Sequence, residues 1–213
     1  MVGRAGLAYA AGMPVLHALS DGGRLELLTG WLARDEADLL FVQLERETPW
    51  GERSLRIAGR EVREPRMVAW VGDPGATYTY SGRRNEPLAW TPPLSALRAR
   101  LEAETGQRFN SVLLNLYRDG RDSMGLHADR EHELGPEPFI ASLSLGATRR
   151  FVLERRRAPR ERLVLPLGHG DLLLMGGTLQ HNYRHGVPKE PAVVAPRINL
   201  TFRLIVGGSV VSS

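Results

Sequence analysis

The chain contains no cysteine. That absence removes disulfides, thiolate nucleophiles and Cys-ligated zinc or iron–sulfur centres together. It also fits a reducing compartment, so a cytoplasmic setting is expected. Long apolar runs are missing too, and none approaches the roughly 20 residues a membrane span requires. The N-terminal stretch MVGRAGLAYAAGMP has one Arg and a short, Pro-broken apolar run, so neither a signal peptide nor a membrane partner is expected. Lysine is nearly absent: of 28 Lys plus Arg residues, only Lys189 is a lysine. Arginine is therefore a habit of this chain, and no single Arg is informative by its type. The balance of 28 cations against 24 Asp plus Glu leaves a net charge of +4 and a pI of about 9.9. Such a balance is compatible with a polyanionic partner without requiring one.

What is present suffices for one buried core, since 42% of the 213 residues are hydrophobic. A first helix is expected from Asp35, which can cap it, with the stripe Ala37, Leu40, Phe41 and Leu44 and a stop at Pro49. A second starts at Thr91-Pro92, carries Leu94, Leu97 and Leu101 on one face, and ends at Gly106. Residues 53–66 read as an edge hairpin turning at Gly59 and hold five Arg, either a basic flap beside a nucleic-acid groove or a solvated surface. After a turn at Asp73-Pro74-Gly75, Tyr78 and Tyr80 share one strand face, as core or as a stacking platform for a planar ligand. Later strands run over 139–145, 151–154, 163–167 and 171–175, and the loop 155–162 carries five more Arg. The class is therefore α+β, mainly β: an antiparallel sandwich or jelly roll backed by helices. Residues 1–24 read as a poorly determined lead-in, 25–206 as a single domain and 207–213 as a tail.

The stretch NSVLLNLYRDGRDSMGLHADRE, residues 110–131, organises the rest. Val112, Leu114 and Leu116 point one way along a strand, while Leu113, Asn115 and Tyr117 point the other. Further on, His127 and Asp129 are two apart, a spacing that lets both reach one metal if the strand stays extended. Six His and eight Asp in this chain give about 0.2 such matches by chance, so a third ligand is needed. His181 and His185, 52 and 56 residues beyond Asp129, both offer one. The strand that follows alternates cleanly, with Ile198, Leu200, Phe202 and Leu204 on one face and Arg197, Asn199, Thr201 and Arg203 on the other. Two Arg inside a core-like strand call for partners, and in a fold with an open iron the natural one is a dicarboxylate. Two His and one carboxylate leave three coordination positions free, which suits an Fe(II) oxygenase.

Four motifs in order resemble the AlkB-like family of Fe(II)/2-oxoglutarate-dependent dioxygenases over about residues 30–205. They are Asn115-x-Tyr117, His127-x-Asp129-x-Glu131, a distal His before Val187-Pro188, and Arg197-x-Asn-Leu-Thr-Phe-Arg203. The resemblance implies a double-stranded β-helix with a base-recognition lid around 50–82. It implies that His127, Asp129 and His185, rather than His181, hold Fe(II). It implies further that Arg197, Asn115 and Tyr117 hold 2-oxoglutarate, with Asn199 supporting and Arg203 near the metal-bound end. Tyr78, Tyr80 and Glu131 would line a base pocket. Arg130, which stands where relatives carry an acidic residue or Lys, is grouped with them. His17, His132, His169 and His181 are expected to be surface or loop residues.

The implied reaction consumes 2-oxoglutarate and O₂ and demethylates alkylated bases in DNA, with RNA as an alternative, giving succinate, CO₂, formaldehyde and the repaired base. No obligate protein partner is expected. Two rivals use the same residues differently: an oxygenase for a small metabolite or protein side chain, and a non-enzymatic binder on a relic jelly roll. The Arg-rich segments argue against the first, the complete triad and clamp against the second.

Overall fold

The computed structural model describes residues 14–57, 60–76, 78–80 and 83–206; the side chains of 55–57, 60–61, 78–80 and 83–85 lie outside that description. In chain order, β1 (Val15–Ala18) and β2 (Gly23–Leu28) precede α1 (Arg34–Glu47). A hairpin of β3 (Gly51–Ile57) and β4 (Arg60–Gly72) and a smaller one of β5 (Tyr78–Tyr80) and β6 (Arg83–Asn85) lead to α2 (Pro92–Thr105). Then follow β7 (Ser111–Tyr117), β8 (Met124–His127), β9 (Ile140–Gly146), β10 (Arg149–Arg155), β11 (Arg162–Leu167) and β12 (Leu172–Gly177). A short helix α3 (Leu179–Asn182), β13 (Tyr183–Val187) and β14 (Arg197–Arg203) complete the domain.

The strands form an eight-stranded sheet in the order β1-β2-β12-β9-β14-β7-β4-β3 and a four-stranded sheet in the order β11-β10-β13-β8. Every pairing within these sheets is antiparallel. Consecutive strands β9 and β10 belong to opposite sheets, as do β11 and β12, and that crossing makes the two sheets a jelly roll. One face of the large sheet is closed by the helices. There Leu40, Leu44, Leu94, Leu97 and Leu101 pack with Val112, Leu114, Leu116, Ile198, Leu200 and Phe202. A second cluster, including Leu25, Leu27, Phe151, Leu153, Leu165 and Met175, fills the space between the sheets.

Both helices match the apolar spacing, with different caps. Helix α1 starts one residue before Asp35, and its cap position is Ala33 with no side-chain bond. Asp35 thus acts in the first turn, where its charge meets the helix dipole. Gly106 ends α2 in the left-handed region at φ 67°, its N–H returning to Glu102 O.

The lead-in expected over 1–24 is corrected in its second half. Val15–Ala18 pairs with Arg24–Leu27 and β2 pairs with β12, so this segment is the edge of the large sheet. Four-residue VLHA is too short to show alternation on its own; its partner strand supplies the order. Residues 1–13 and 207–213 lie outside the described residues. Among the described residues no helix is long and apolar enough to cross a membrane.

The crossing after β9 is tight. Gly146 has φ 85°, and a Cβ there would sit 2.5 Å from Pro196 O and 2.8 Å from the Phe41 ring. Gly146→Ala is therefore expected to cost about 1–3 kcal/mol through left-handed strain and overpacking. Thermal unfolding should show a fall in Tm of about 3–10 °C, and an unchanged Tm would contradict this account of the turn.

Candidate active site

Pairing of β7 with β14 sets Tyr117 opposite Arg197 and Asn115 opposite Asn199. Because the other face of both strands is core, these four polar residues, with Thr201 and Arg203, face the small sheet. That sheet contributes His127 from β8 and His185 from β13, which are paired neighbours with ring centroids 4.4 Å apart. Three residues of β8 span the interval that two residues of β13 cover between these pairs, a bulge of the kind that re-aims side chains. Asp129 lies two residues past the end of β8, outside the paired strand. It is held where its N–H donates to Gln180 Oε1 at 3.0 Å.

His127, Asp129 and His185 each offer a ligand atom within 4.8 Å of the others, and this is the one such His/Asp/Glu group among the described residues. His127 Nδ1 lies 3.0 Å from Gly125 O. It is therefore the protonated nitrogen, and Nε2 is left with its lone pair 3.6 Å from Asp129 Oδ1. Arg203 donates to Asp129 Oδ2 from Nε at 3.2 Å and Nη2 at 2.8 Å, which leaves Oδ1 for a cation. Burial would raise the Asp129 pKa, but the Arg203 guanidinium and the two imidazoles hold it well below the usual carboxylate range. Burial, reinforced by His127 and Arg203 against the pull of Asp129, lowers His185 to about 3. At neutral pH the set is one anion and a neutral imidazole beside His127, the donor set of a non-haem iron centre. His181 is exposed and contacts Pro136 O. His132 is exposed in a short 3-10 turn, and His169 accepts from Gly146 N–H at 2.7 Å.

The polar face of the large sheet fits a dicarboxylate. Arg197 is 2% exposed; its Nη2 donates to Ser144 Oγ at 2.9 Å, while Nε and Nη1 have no partner. Two buried, unpaired guanidinium nitrogens carry a desolvation cost that an anion would offset. Around them a narrow cavity is lined by Asn115, Tyr117, His127, His185, Asn199 and Arg203, among others. Asn199 is saturated, donating to Ser142 Oγ and Leu143 O and accepting from Thr201, so it braces the wall. The Tyr117 ring is held between the guanidinium groups of Arg197 at 5.3 Å and Arg149 at 5.6 Å. Arg149 is itself buried and donates to Asp119 O, Asp122 O, Pro188 O and Glu190.

A second cavity of about 310 Å³ opens on the other side of His127 and Asp129, at the low end of the about 300–1,000 Å³ of ligand pockets. Glu64, Arg66, Val68 and Trp70, alternate residues of β4, form one wall, with Leu113, Glu131, Leu134 and Ile205 elsewhere. Glu131 Oε2 is buried there without a partner. Arg130 is exposed and is not part of the lining. The backbone of Tyr78 and Tyr80 forms β5, pairing with Asn85 and Arg83; their side chains lie outside the described residues.

The hairpin 53–66 also differs from a uniform basic flap. Arg66 and Glu64 are buried and paired at 2.7 Å, and Arg63 pairs with Glu52 at the surface. Sequence reading missed Glu64, Arg66, Gln180 and Arg149. The first two had a signal, since they continue the period-2 face of Val68 and Trp70; the others had none.

Residues 24–203 match the model of the 2OG-Fe(II) oxygenase superfamily. Among curated proteins, the chain is 43% identical over 191 residues to the bovine alpha-ketoglutarate-dependent dioxygenase alkB homolog 3, covering 85% of this chain and 66% of that protein, just under two thirds. It is 42% identical over 180 residues to the human DNA oxidative demethylase ALKBH2, covering 80% and 69%. This chain belongs to the AlkB-like 2OG-Fe(II) oxygenases. The solved structure of OsALKBH1 shares the fold at 19% identity and a TM-score of 0.61, over 89% of this chain and all of that one. Oxygenases of this superfamily use iron, 2-oxoglutarate and O₂, and the donor set and the unpaired Arg197 nitrogens fit the first two.

His185→Ala should abolish high-affinity binding of Mn(II) as a redox-stable stand-in, read by calorimetry, while His181→Ala should stay within about twofold of wild type. The reverse pattern would transfer the ligand role to His181.

Proposed function

We propose that this AlkB-like oxygenase is an Fe(II)- and 2-oxoglutarate-dependent dealkylase of nucleic-acid bases, acting on DNA or, as the alternative, RNA, in the cytoplasm. The observation that carries the reading is a buried arginine with two free nitrogens beside a His-Asp-His cluster that also borders a second, larger cavity. One cavity suits a co-substrate carboxylate and the other a planar substrate. The human relative ALKBH2 is a DNA oxidative demethylase, which supports the substrate class.

In this reading His127, Asp129 and His185 would hold the iron. With 2-oxoglutarate and O₂, that group would supply oxidation of an N-methyl carbon, the products being succinate, CO₂, formaldehyde and the restored base. Arg197 takes the far carboxylate in a forked contact, with Asn115 and Tyr117 beside it. Arg203 holds Asp129 in place and keeps it ionised. Trp70, Leu113, Leu134 and Ile205 keep water from the reacting centre, and the free Glu131 Oε2 accepts from an exocyclic amine. Tyr78 and Tyr80 provide the stacking surface. A base in a duplex must leave its stack to enter, so single strands and weakened pairs cost least. Arg156, Arg157 and Arg160 are exposed and have no ion-pair partner among the described residues, as a phosphate track requires; Arg155 is tied to Asp21.

Purified protein with Fe(II), 2-oxoglutarate and an oligonucleotide bearing 1-methyladenine or 3-methylcytosine should release formaldehyde and restored base in equal amounts. Turnover of 2-oxoglutarate that no oligonucleotide stimulates would instead indicate a small-metabolite or protein substrate. Arg197→Lys should raise the KM for 2-oxoglutarate about tenfold or more, because a point charge cannot reproduce the fork. Affinity for a single-stranded oligonucleotide should fall with salt by about 0.7 log units per phosphate contact per decade. Replacing Arg156, Arg157 and Arg160 by Gln should flatten that slope, and an unchanged slope would return the loop to plain solvated surface.

A further inference from the structure

Asn115 stands between the two cavities, and its amide has one settled neighbour. Arg66 Nε lies 2.9 Å from Asn115 Oδ1, and both residues are buried, at 7% and 1% exposure. A guanidinium has only donors. Whatever orientation a side-chain amide could adopt in isolation, the atom that meets Arg66 must therefore be the oxygen. The amide nitrogen is then turned the other way. Asn115 lines the narrow cavity beside Arg197, and Nδ2 donates to no protein group among the described residues. Glu64, 1% exposed at its side chain and 2.7 Å from Arg66 Nη2, anchors the guanidinium so that it cannot swing away.

We infer that Arg66, held by Glu64, is a positioning residue that fixes the Asn115 amide with its N–H₂ toward the co-substrate cavity, making Asn115 a donor to a carboxylate there. Without Arg66 the amide is free to rotate. Its oxygen would then face an anion for part of the time, and a hydrogen bond would give way to repulsion. The role belongs to β4, a strand of the substrate cavity, and acts on the co-substrate through one amide. This inference rests on the proposed 2-oxoglutarate site.

The test is calorimetric titration of 2-oxoglutarate into the full chain loaded with Mn(II), with no turnover involved. Arg66→Met alone would strand a buried carboxylate, so the pair is removed together as Glu64→Leu/Arg66→Met, with Arg66→Lys as a second, charge-retaining variant. The double variant should bind 2-oxoglutarate about 10- to 100-fold more weakly, the size of one hydrogen bond to a charged group. Arg66→Lys, which keeps a donor and the charge, should recover most of that loss. Adding Asn115→Ala to the double variant should weaken binding little further, because both act through one contact. Additive losses would overturn the inference, as would unchanged affinity in the double variant. Asn115→Asp gives an independent arm: with a carboxylate oxygen turned to the cavity it should bind more weakly than Asn115→Ala, and equal affinities would also overturn it. If wild type itself takes up no 2-oxoglutarate, the underlying function fails and not merely this assignment.

Discussion

β14 lies against β7 with Arg197 opposite Tyr117 and Asn199 opposite Asn115, and the site depends on that register. Side chains alternate with period 2, so a slip of one residue would send Arg197, Asn199 and Arg203 into the helix-covered core and Ile198, Leu200 and Phe202 into the cavity. The apolar residues therefore hold the polar ones in place. Ile198, Leu200 and Phe202 are fully buried, and removing any one costs about 2–5 kcal/mol. Such a penalty makes the slipped register inaccessible, so the core energetics fix where the clamp points.

On this frame the buried charges divide into two kinds. Arg203 meets Asp129, Arg66 meets Glu64, and Arg149 meets Glu190 and three carbonyls. Each buried guanidinium in these pairs offsets its desolvation with an anion or with peptide oxygens. Arg197 differs, because one of its three nitrogens is bonded and two are not. Among these buried guanidinium groups, Arg197 alone keeps two nitrogens for a ligand carboxylate. Binding there adds to folding stability by mass action, since the unfolded chain holds no such cleft.

Much of this could be read from the residues, for a definite reason. In β7 and β14, alternating apolar and polar residues mark one core face and one chemical face without any tertiary knowledge. The stripes of α1 and α2 did the same for the layer behind them. Asp129 was harder: its spacing from His127 suggested one paired strand, whereas Asp129 lies past the strand end, beyond a bulge, and is held by the Gln180 side chain. Glu64 and Arg66 looked like members of an Arg-rich surface hairpin, because composition hides which face of a strand is buried. Gln180 and Arg149 act on the site from sequence-distant elements, and no local pattern points to such contacts. The strand β1 gained its order only by pairing with β2.

The division of labour between the sheets explains how one scaffold can serve different substrates. On the proposed reading, the two histidine ligands sit on the paired strands β8 and β13 and the co-substrate clamp on the facing pair β7 and β14, with Asp129 just past the end of β8; the separation of packed sheets, about 10 Å, is set by their side chains. On that reading, the spacing would set the reach from the His-Asp-His cluster to Arg197, and with it the length of dicarboxylate that fits. The larger cavity is bounded differently. Its walls include the β3–β4 hairpin and the segment from Ala128 to Leu134, which lie outside the β7–β14 pairing itself. A chain only 19% identical keeps the same fold, as expected if the constraint lies in the strands. On the proposed reading, specificity for a base is therefore to be sought in the hairpin, in Glu131 and in the wall of Trp70, while the triad and the clamp would set only the chemistry.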